Sequence, residues 1–164
     1  IKKELNKING ITIAMVGDLK NGRTVRSLAY LLGKYKKIKI FFVSPLELKI
    51  GNDIKNYLIK HNIQFEETER LEKVIKVVDV LYQTRIQKER FKSAKEYENF
   101  KCRYIITRKV ANTMKKKSII MHPLPRVNEI SPDVDSLAKA VYFKQARYGL
   151  LVRMALLKFM LLKR

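Results

Sequence analysis

Short runs of β-branched and aromatic residues alternate with stretches whose apolar residues recur at helical spacing, and this alternation constrains the fold more than any other feature of the chain. Ile11–Val16 (ITIAMV), Ile38–Val43 (IKIFFV), Val78–Gln83 (VDVLYQ) and Ile119–His122 (IIMH) read as buried strands, with Gln64–Glu66 a weaker one. Between them, Thr24–Tyr35 places Val25, Leu28, Ala29, Leu31 and Leu32 at helical intervals, and Leu46–His61 does the same with Ile54, Leu58 and Ile59. Leu71–Val77, Lys95–Phe100 and Thr107–Lys116 read as shorter helices, and Phe143–Leu162 as a long closing one. Strands joined through helices require right-handed crossovers. The expected fold is therefore α/β: a three-layer, Rossmann-like domain with a mostly parallel sheet of about five strands, covered by helices on both faces. Residues 11–142 are expected to form its body and residues 143–164 the closing helix.

Composition narrows the class. With 46% apolar residues in 164, the chain can bury a sizeable core. The single cysteine, Cys102, cannot form an internal disulfide, which fits a reducing, cytoplasmic setting. Cys102 has no neighbouring His or second Cys, so an inert thiol is expected there. Leu150–Leu162 is the most apolar stretch, but Arg153 and Lys158 interrupt it and it is too short to span a bilayer. The formal net charge of +21 raises the possibility of nucleic-acid binding. The lysines recur in every segment, without a block of interleaved aromatics, so a solvated surface bias is the expected source.

In parallel α/β sheets ligands bind beyond the carboxyl ends of the strands. Three segments occupy that edge. Gly17-Asp18-Leu19-Lys20-Asn21-Gly22-Arg23-Thr24 joins a strand to a helix amino terminus, where free N–H groups and the helix dipole favour an anion. Arg23 can grip a carboxylate with two parallel hydrogen bonds. The glycines fit neither the dinucleotide fingerprint nor the Walker spacing, and Asp18 and Thr24 have the alternative role of helix caps. The second segment, Thr84-Arg85-Ile86-Gln87-Lys88-Glu89-Arg90, follows strand VDVLYQ. Arg85 and Gln87 lie two apart, so extended backbone puts them on one face, and Glu89 is a candidate to orient Arg85. The third is His122-Pro123-Leu124-Pro125-Arg126. Its prolines stiffen the chain and leave carbonyls free to accept from a ligand amide, and Leu124–Pro125 is a candidate cis bond. His122 taken alone reads as a structural histidine.

The blocks GDLKNGRTVRS, LYQTRIQKER and HPLPRVNEI, in this order and on these elements, resemble the carboxyl-terminal domain of aspartate carbamoyltransferases, and YFKQARYGLLVRMALL resembles that family's last helix. Ornithine carbamoyltransferases share the architecture but carry HCLP where this chain has HPLP. The resemblance implies that Arg23 and Arg85 hold the two carboxylates of L-aspartate, with Gln87 beside them and Glu89 positioning Arg85. It implies that the backbone around Pro123, Leu124 and Pro125 accepts from the NH2 group of carbamoyl phosphate, and that Lys88–Phe100 rearranges as two domains close. No protein nucleophile, metal or cofactor is implied. The intact family forms homotrimers, in some members with regulatory chains. Asn21 stands where a Tyr is common and Arg26 where a His is common, which implies altered packing beside the first loop.

The family's amino-terminal half, with its Ser-Thr-Arg-Thr-like phosphate contacts, a further Arg, a His and a mobile Lys loop, has no counterpart in these residues; the resemblance implies that residues 1–10 are a remnant of the interdomain linker helix and that residues 143–164 return to that other half. The expectation is a chain that folds, binds aspartate weakly and does not turn over alone. Its last helix, including Leu150, Leu151, Leu157 and Phe159, is expected to lack part of its covering. A basic α/β module for nucleic acid is the rival reading. It requires a continuous cationic stripe, whereas Arg23, Arg85 and Arg126 are all expected at the strand-end edge.

Overall fold

Along a strand successive side chains point to opposite faces, so a strand buried on both sides must be apolar throughout. β1 (Thr12–Val16) and β2 (Lys39–Val43) meet that condition, each burying its last four residues. Ile13, Met15, Ile40 and Phe42 face one layer, where they pack with Val25, Ala29 and Leu32 of α2 (Arg23–Leu32) and with Ile54 and Leu58 of α3 (Asn52–Lys60). Ala14, Val16, Phe41 and Val43 face the other, against Leu71, Val74, Ile75, Tyr104, Ile106 and Ala111. With β3 (Gln64–Thr68), β4 (Val80–Gln83) and β5 (Ile119–Met121) they form one sheet of order β3-β2-β1-β4-β5, and every pairing is parallel. Two short helices, α1 (Lys2–Leu5) and α4 (Arg108–Asn112), and the long α5 (Tyr142–Leu161) stand beside them among the described residues. This computed structural model describes residues 1–87, 91, 93, 97, 98, 100 and 103–162. Glu89 and Cys102 lie outside the described residues, as do residues 95, 96 and 99 of the helix expected over 95–100.

The expected single helix over residues 46–61 is divided. A 3-10 turn at Leu46–Leu48 is followed by extended backbone at Lys49 and Gly51 before α3 begins. The Leu48 carbonyl accepts from the N–H groups of Leu19 (3.1 Å) and Lys20 (3.0 Å), so it serves the loop after β1 instead of a helix. The stretch 71–77 condenses to a 3-10 turn at Leu71–Lys73. The strand expected at 64–66 extends to Thr68, because all five of its residues pair with β2. α5 is longer than its cover: Tyr142 is fully buried, but every described residue from Leu150 onward is exposed. Among the described residues no helix is long and apolar enough to cross a membrane.

Candidate functional site

Two strand ends are locked together before any ligand enters. Gly17 leaves β1 with φ +117°, a conformation that residues with a Cβ rarely adopt. A Cβ there would lie 2.5 Å from the Thr84 carbonyl oxygen, so glycine alone permits the two backbones to touch. Thr84 donates its N–H (2.8 Å) and its hydroxyl (3.0 Å) to the Val16 carbonyl. Gln83, buried beside it, donates to the carbonyls of Thr84 (3.1 Å) and Tyr104 (3.4 Å). The exits of β1 and β4 thus form one rigid ledge.

Asp18 shapes the first loop. Its buried carboxylate accepts from the Asn21 N–H at 3.0 Å and from the Asn21 side-chain amide at 3.0 and 3.2 Å. It therefore folds the loop on itself instead of capping α2, whose N-cap is Gly22 with no side-chain bond. Thr24 is likewise inside the helix, where its side chain meets the Tyr82 hydroxyl; burial nonetheless pushes the Tyr82 phenol up from its ordinary value. Asn21 and Arg26 are both engaged. Asn21 completes the Asp18 turn, and Arg26 forms a two-pronged ion pair with Asp53 at the start of α3. Arg23 is the first residue of α2, and no acidic side chain occupies that first turn. Positive charge and unpaired helix N–H groups coincide there.

The third loop is organised by a buried pair. His122 Nδ1 accepts from the Leu124 N–H at 2.9 Å, so that nitrogen carries no proton. Nε2 carries the proton instead, 2.8 Å from Glu129 Oε1. Burial alone would raise the Glu129 carboxyl. The close contact with His122 and hydrogen bonds from the N–H groups of Glu129 and Val127 outweigh it and hold the carboxyl below its ordinary value. The chain between runs through Leu124, at φ +51°, and a cis Leu124–Pro125 bond, as the sequence anticipated. His122 N–H also donates to Gln145 of α5 at 3.1 Å. His122 is thus a structural histidine.

These three loops enclose one cavity of about 270 Å³. Arg23, Arg85, Gln87, His122, Pro123, Leu124 and Pro125 all line it, with Asp18, Asn21, Gly22, Thr24 and Thr84. Ile86 does not, which is the alternation expected for an extended Arg85–Gln87 segment. Arg126 does not join. Its guanidinium pairs with Asp135 and the Tyr142 hydroxyl, 5.5 Å from the Tyr142 ring centre, so among the described residues two arginines line the cavity and not three. The ledge residues Gly17 and Thr84 and the Glu129 carboxylate were not singled out from sequence. Gly17 carried a signal, a glycine directly after a strand, whereas the Glu129–His122 pair leaves no mark in local periodicity. Among the described residues no group of three or more His, Cys, Asp or Glu side chains is placed to hold a metal ion.

Residues 9–160 match the family model described as aspartate/ornithine carbamoyltransferase, Asp/Orn binding domain. The chain is 52% identical over 162 residues to aspartate carbamoyltransferase 3, chloroplastic, of Pisum sativum, covering 98% of this chain and 41% of that protein. It is 53% identical over 158 residues to the aspartate carbamoyltransferase catalytic subunit of Methanocaldococcus jannaschii, covering 96% and 51%. A solved structure of that M. jannaschii catalytic subunit superposes with a TM-score of 0.89 over 96% of this chain and 52% of the other. The Trypanosoma cruzi aspartate transcarbamoylase, solved in complex with aspartate and phosphate, is 40% identical with a TM-score of 0.84, covering 96% and 49%. The chain spans about half the length of the relatives it matches.

Proposed function

The chain belongs to the aspartate/ornithine carbamoyltransferase family through its Asp/Orn-binding domain, and we propose on that premise that it is the aspartate-binding half of an aspartate carbamoyltransferase. The reaction is carbamoyl phosphate plus L-aspartate to N-carbamoyl-L-aspartate and phosphate, a step of pyrimidine synthesis. One observation carries the reading: Arg23, Arg85, Gln87 and the Leu124–Pro125 backbone, from three distant segments, line a single cavity of about 270 Å³. That is just below the roughly 300–1,000 Å³ of pockets for drug-sized ligands, and suits a small diacid. The family match favours this reading over a basic nucleic-acid module.

In the proposed arrangement Arg23 takes one carboxylate of aspartate at the amino end of α2, and Arg85 takes the other. Gln87, on the same face as Arg85, supplies an amide to the bound diacid. The backbone carbonyls next to Leu124 and Pro125 accept from the carbamoyl NH2 group and fix the plane of the electrophile. The neutral aspartate amine then attacks the carbamoyl carbon. A C–N bond forms, the tetrahedral carbon collapses with cleavage of its C–O bond to phosphate, and the nitrogen gives up a proton. No side chain of this half needs to bond covalently to substrate. Its contribution is orientation, which converts a bimolecular encounter into a near-unimolecular step. The phosphate clamp and the closing lid belong to the other half of the proposed enzyme, with residues 143–164 returning to it. His122 and Glu129 are positioning residues that hold the Leu124 turn.

Binding of L-aspartate and of its unreactive analogue succinate, followed by backbone NMR shifts, tests the reading. Both ligands are expected to perturb Asn21–Thr24, Arg85–Gln87 and His122–Leu124. Arg23→Ala and Arg85→Ala should each weaken binding about tenfold or more, since a charge-assisted pair contributes about 1.5–3 kcal/mol. Unchanged affinity in Arg85→Ala would overturn it. Carbamoyl-aspartate production is expected only when the carbamoyl-phosphate-binding half is supplied.

A further inference from the structure

The amino ends of the strands, opposite the candidate site, carry a second cavity. Lys7 lies on the approach to β1, Asp79 on the approach to β4, and Lys116 and Lys117 on the approach to β5. With Glu4 and Lys139 they line a cleft of about 580 Å³, roughly twice the volume of the candidate site. A five-residue strand rises about 3.3 Å per residue, which separates the two cavities by about 16 Å.

The charges in this cleft do not cancel. Both carboxylates are already engaged. Asp79 accepts from the Thr12 N–H and from Lys115 Nζ, each at 2.8 Å, and its pKa lies below the ordinary value; burial opposes that shift, but these two bonds prevail. Glu4 accepts from the Tyr148 hydroxyl at 2.8 Å and has Lys144 at 3.7 Å. The cations are less provided for. Lys139 Nζ is fixed by the Ala111 carbonyl at 2.9 Å, so its charge is held in place without a carboxylate of the described residues to balance it. Lys116 and Lys117 are exposed and make no ion pair or hydrogen bond through their ammonium groups to any described residue. Lys7 reaches Asp79 only through space. Four lysines therefore line a volume within the range of small-molecule sites, and none of them forms an ion pair with a carboxylate of the described residues.

We propose that this cleft is a binding site for a multivalent anion of the condensed-phosphate class. A monoanion or a simple dicarboxylate would leave half of the cations unmatched. A chain of linked phosphates carries three to four charges spaced along a length that four lysines can follow, as the flexible stems of Lys7, Lys116 and Lys117 allow. The site is independent of the carbamoyl-transfer reading and shares no residue with it.

Titration calorimetry with inorganic tripolyphosphate, without divalent cations and at constant ionic strength, tests the proposal on the protein itself. One-to-one binding is expected, with affinity reduced about tenfold or more, or about 1.4 kcal/mol, in the double variant Lys116→Ala/Lys117→Ala. The double variant Lys49→Ala/Lys60→Ala removes the same charge from exposed positions outside the cleft and should change affinity less than about twofold. Equal losses in the two variants, or no one-to-one binding, would overturn the site in favour of a diffuse positive field. Adenosine triphosphate distinguishes the sources. Affinity equal to tripolyphosphate assigns the phosphate chain alone, and higher affinity that falls in the Lys116/Lys117 variant assigns a nucleotide. Excess succinate should leave the tripolyphosphate isotherm unchanged.

Discussion

His122 Nε2 lies 2.8 Å from Glu129 Oε1 in the protein interior, and this contact anchors the turn that carries Leu124 into the candidate site. Because Glu129 is held below its ordinary value of 4.5, the folded state favours its ionised form. That stabilisation is fully present above the unfolded value and is lost as pH falls through the lower, folded one. Glu129→Gln removes the titration and weakens bonds to a buried ring and two N–H groups, at a cost of about 1–3 kcal/mol near neutrality. Urea midpoints at about pH 6 and about pH 3.5 provide the check. The native protein should lose more stability between them than the variant; an equal loss in both would exclude Glu129 as a source of acid sensitivity.

Gly17 and Thr84 make a second prediction. A methyl group on Gly17 meets the Thr84 carbonyl at 2.5 Å and the Thr84 hydroxyl at 2.7 Å, in a backbone conformation already unfavourable for alanine. Gly17→Ala should therefore cost about 3 kcal/mol or more. Because the ledge positions both Arg23 and Arg85, succinate affinity should fall as well. The control is Gly149→Ala, where a Cβ meets nothing within 4 Å on an exposed helix. That change should stabilise by about 0.5–1 kcal/mol through helix propensity, and thermal melts of the two variants should move in opposite directions.

The layers of this fold were legible because they follow from local chemistry. ITIAMV and IKIFFV can be nothing but strands buried on two faces, and the alternation of elements fixes a parallel sheet. What escaped was set by contacts across the chain. Residues 46–61 keep helical spacing of apolar residues, yet the Leu48 carbonyl is taken by Leu19 and Lys20, a competition that periodicity cannot register. Arg126 was expected with Arg23 and Arg85 at the strand-end edge, but Asp135 and Tyr142, nine and sixteen residues further on, turn it away. Arg23, Arg85 and Gln87, expected together at the strand ends, do line one cavity, because strand ends fix where the loops carrying them emerge. The His122–Glu129 pair and the Gly17–Thr84 contact depend on three-dimensional closeness that the order of residues does not encode.

Two buried phenols make a prediction at alkaline pH. Burial pushes Tyr104 up to about 12 and Tyr142 likewise to about 12, the latter helped by its hydrogen bond to Asp135. A phenol whose folded value exceeds its unfolded value of 10.0 contributes stability that is intact below that value and disappears as pH rises towards about 12. Ultraviolet phenolate titration should show a late fraction among the eight tyrosines. Tyr104→Phe and Tyr142→Phe should each remove one tyrosine from it. Tyr104→Phe also deletes the 3.0 Å bond to the Glu69 carbonyl, at a cost of about 1 kcal/mol. A late fraction unchanged in either variant would refute the assignment for that residue.

The outer part of α5 is largely apolar, interrupted by Arg153 and Lys158, yet exposed: Leu150 at 55%, Leu151 at 52% and Leu157 at 59%. A surface of that kind drives association whenever a second apolar surface is available, because burying it removes about 25 cal/mol for each Å² of apolar area from water. The chain alone should therefore self-associate with rising concentration. Leu150 and Leu157 lie seven residues apart and so share a helix face. Replacing both with glutamate should weaken association about tenfold or more in sedimentation velocity. The melting temperature at low concentration should hardly move, since neither side chain belongs to the two core clusters. A large drop in that temperature would mean instead that α5 packs on its own domain. Association that survives the double variant would place the contact elsewhere on the molecule.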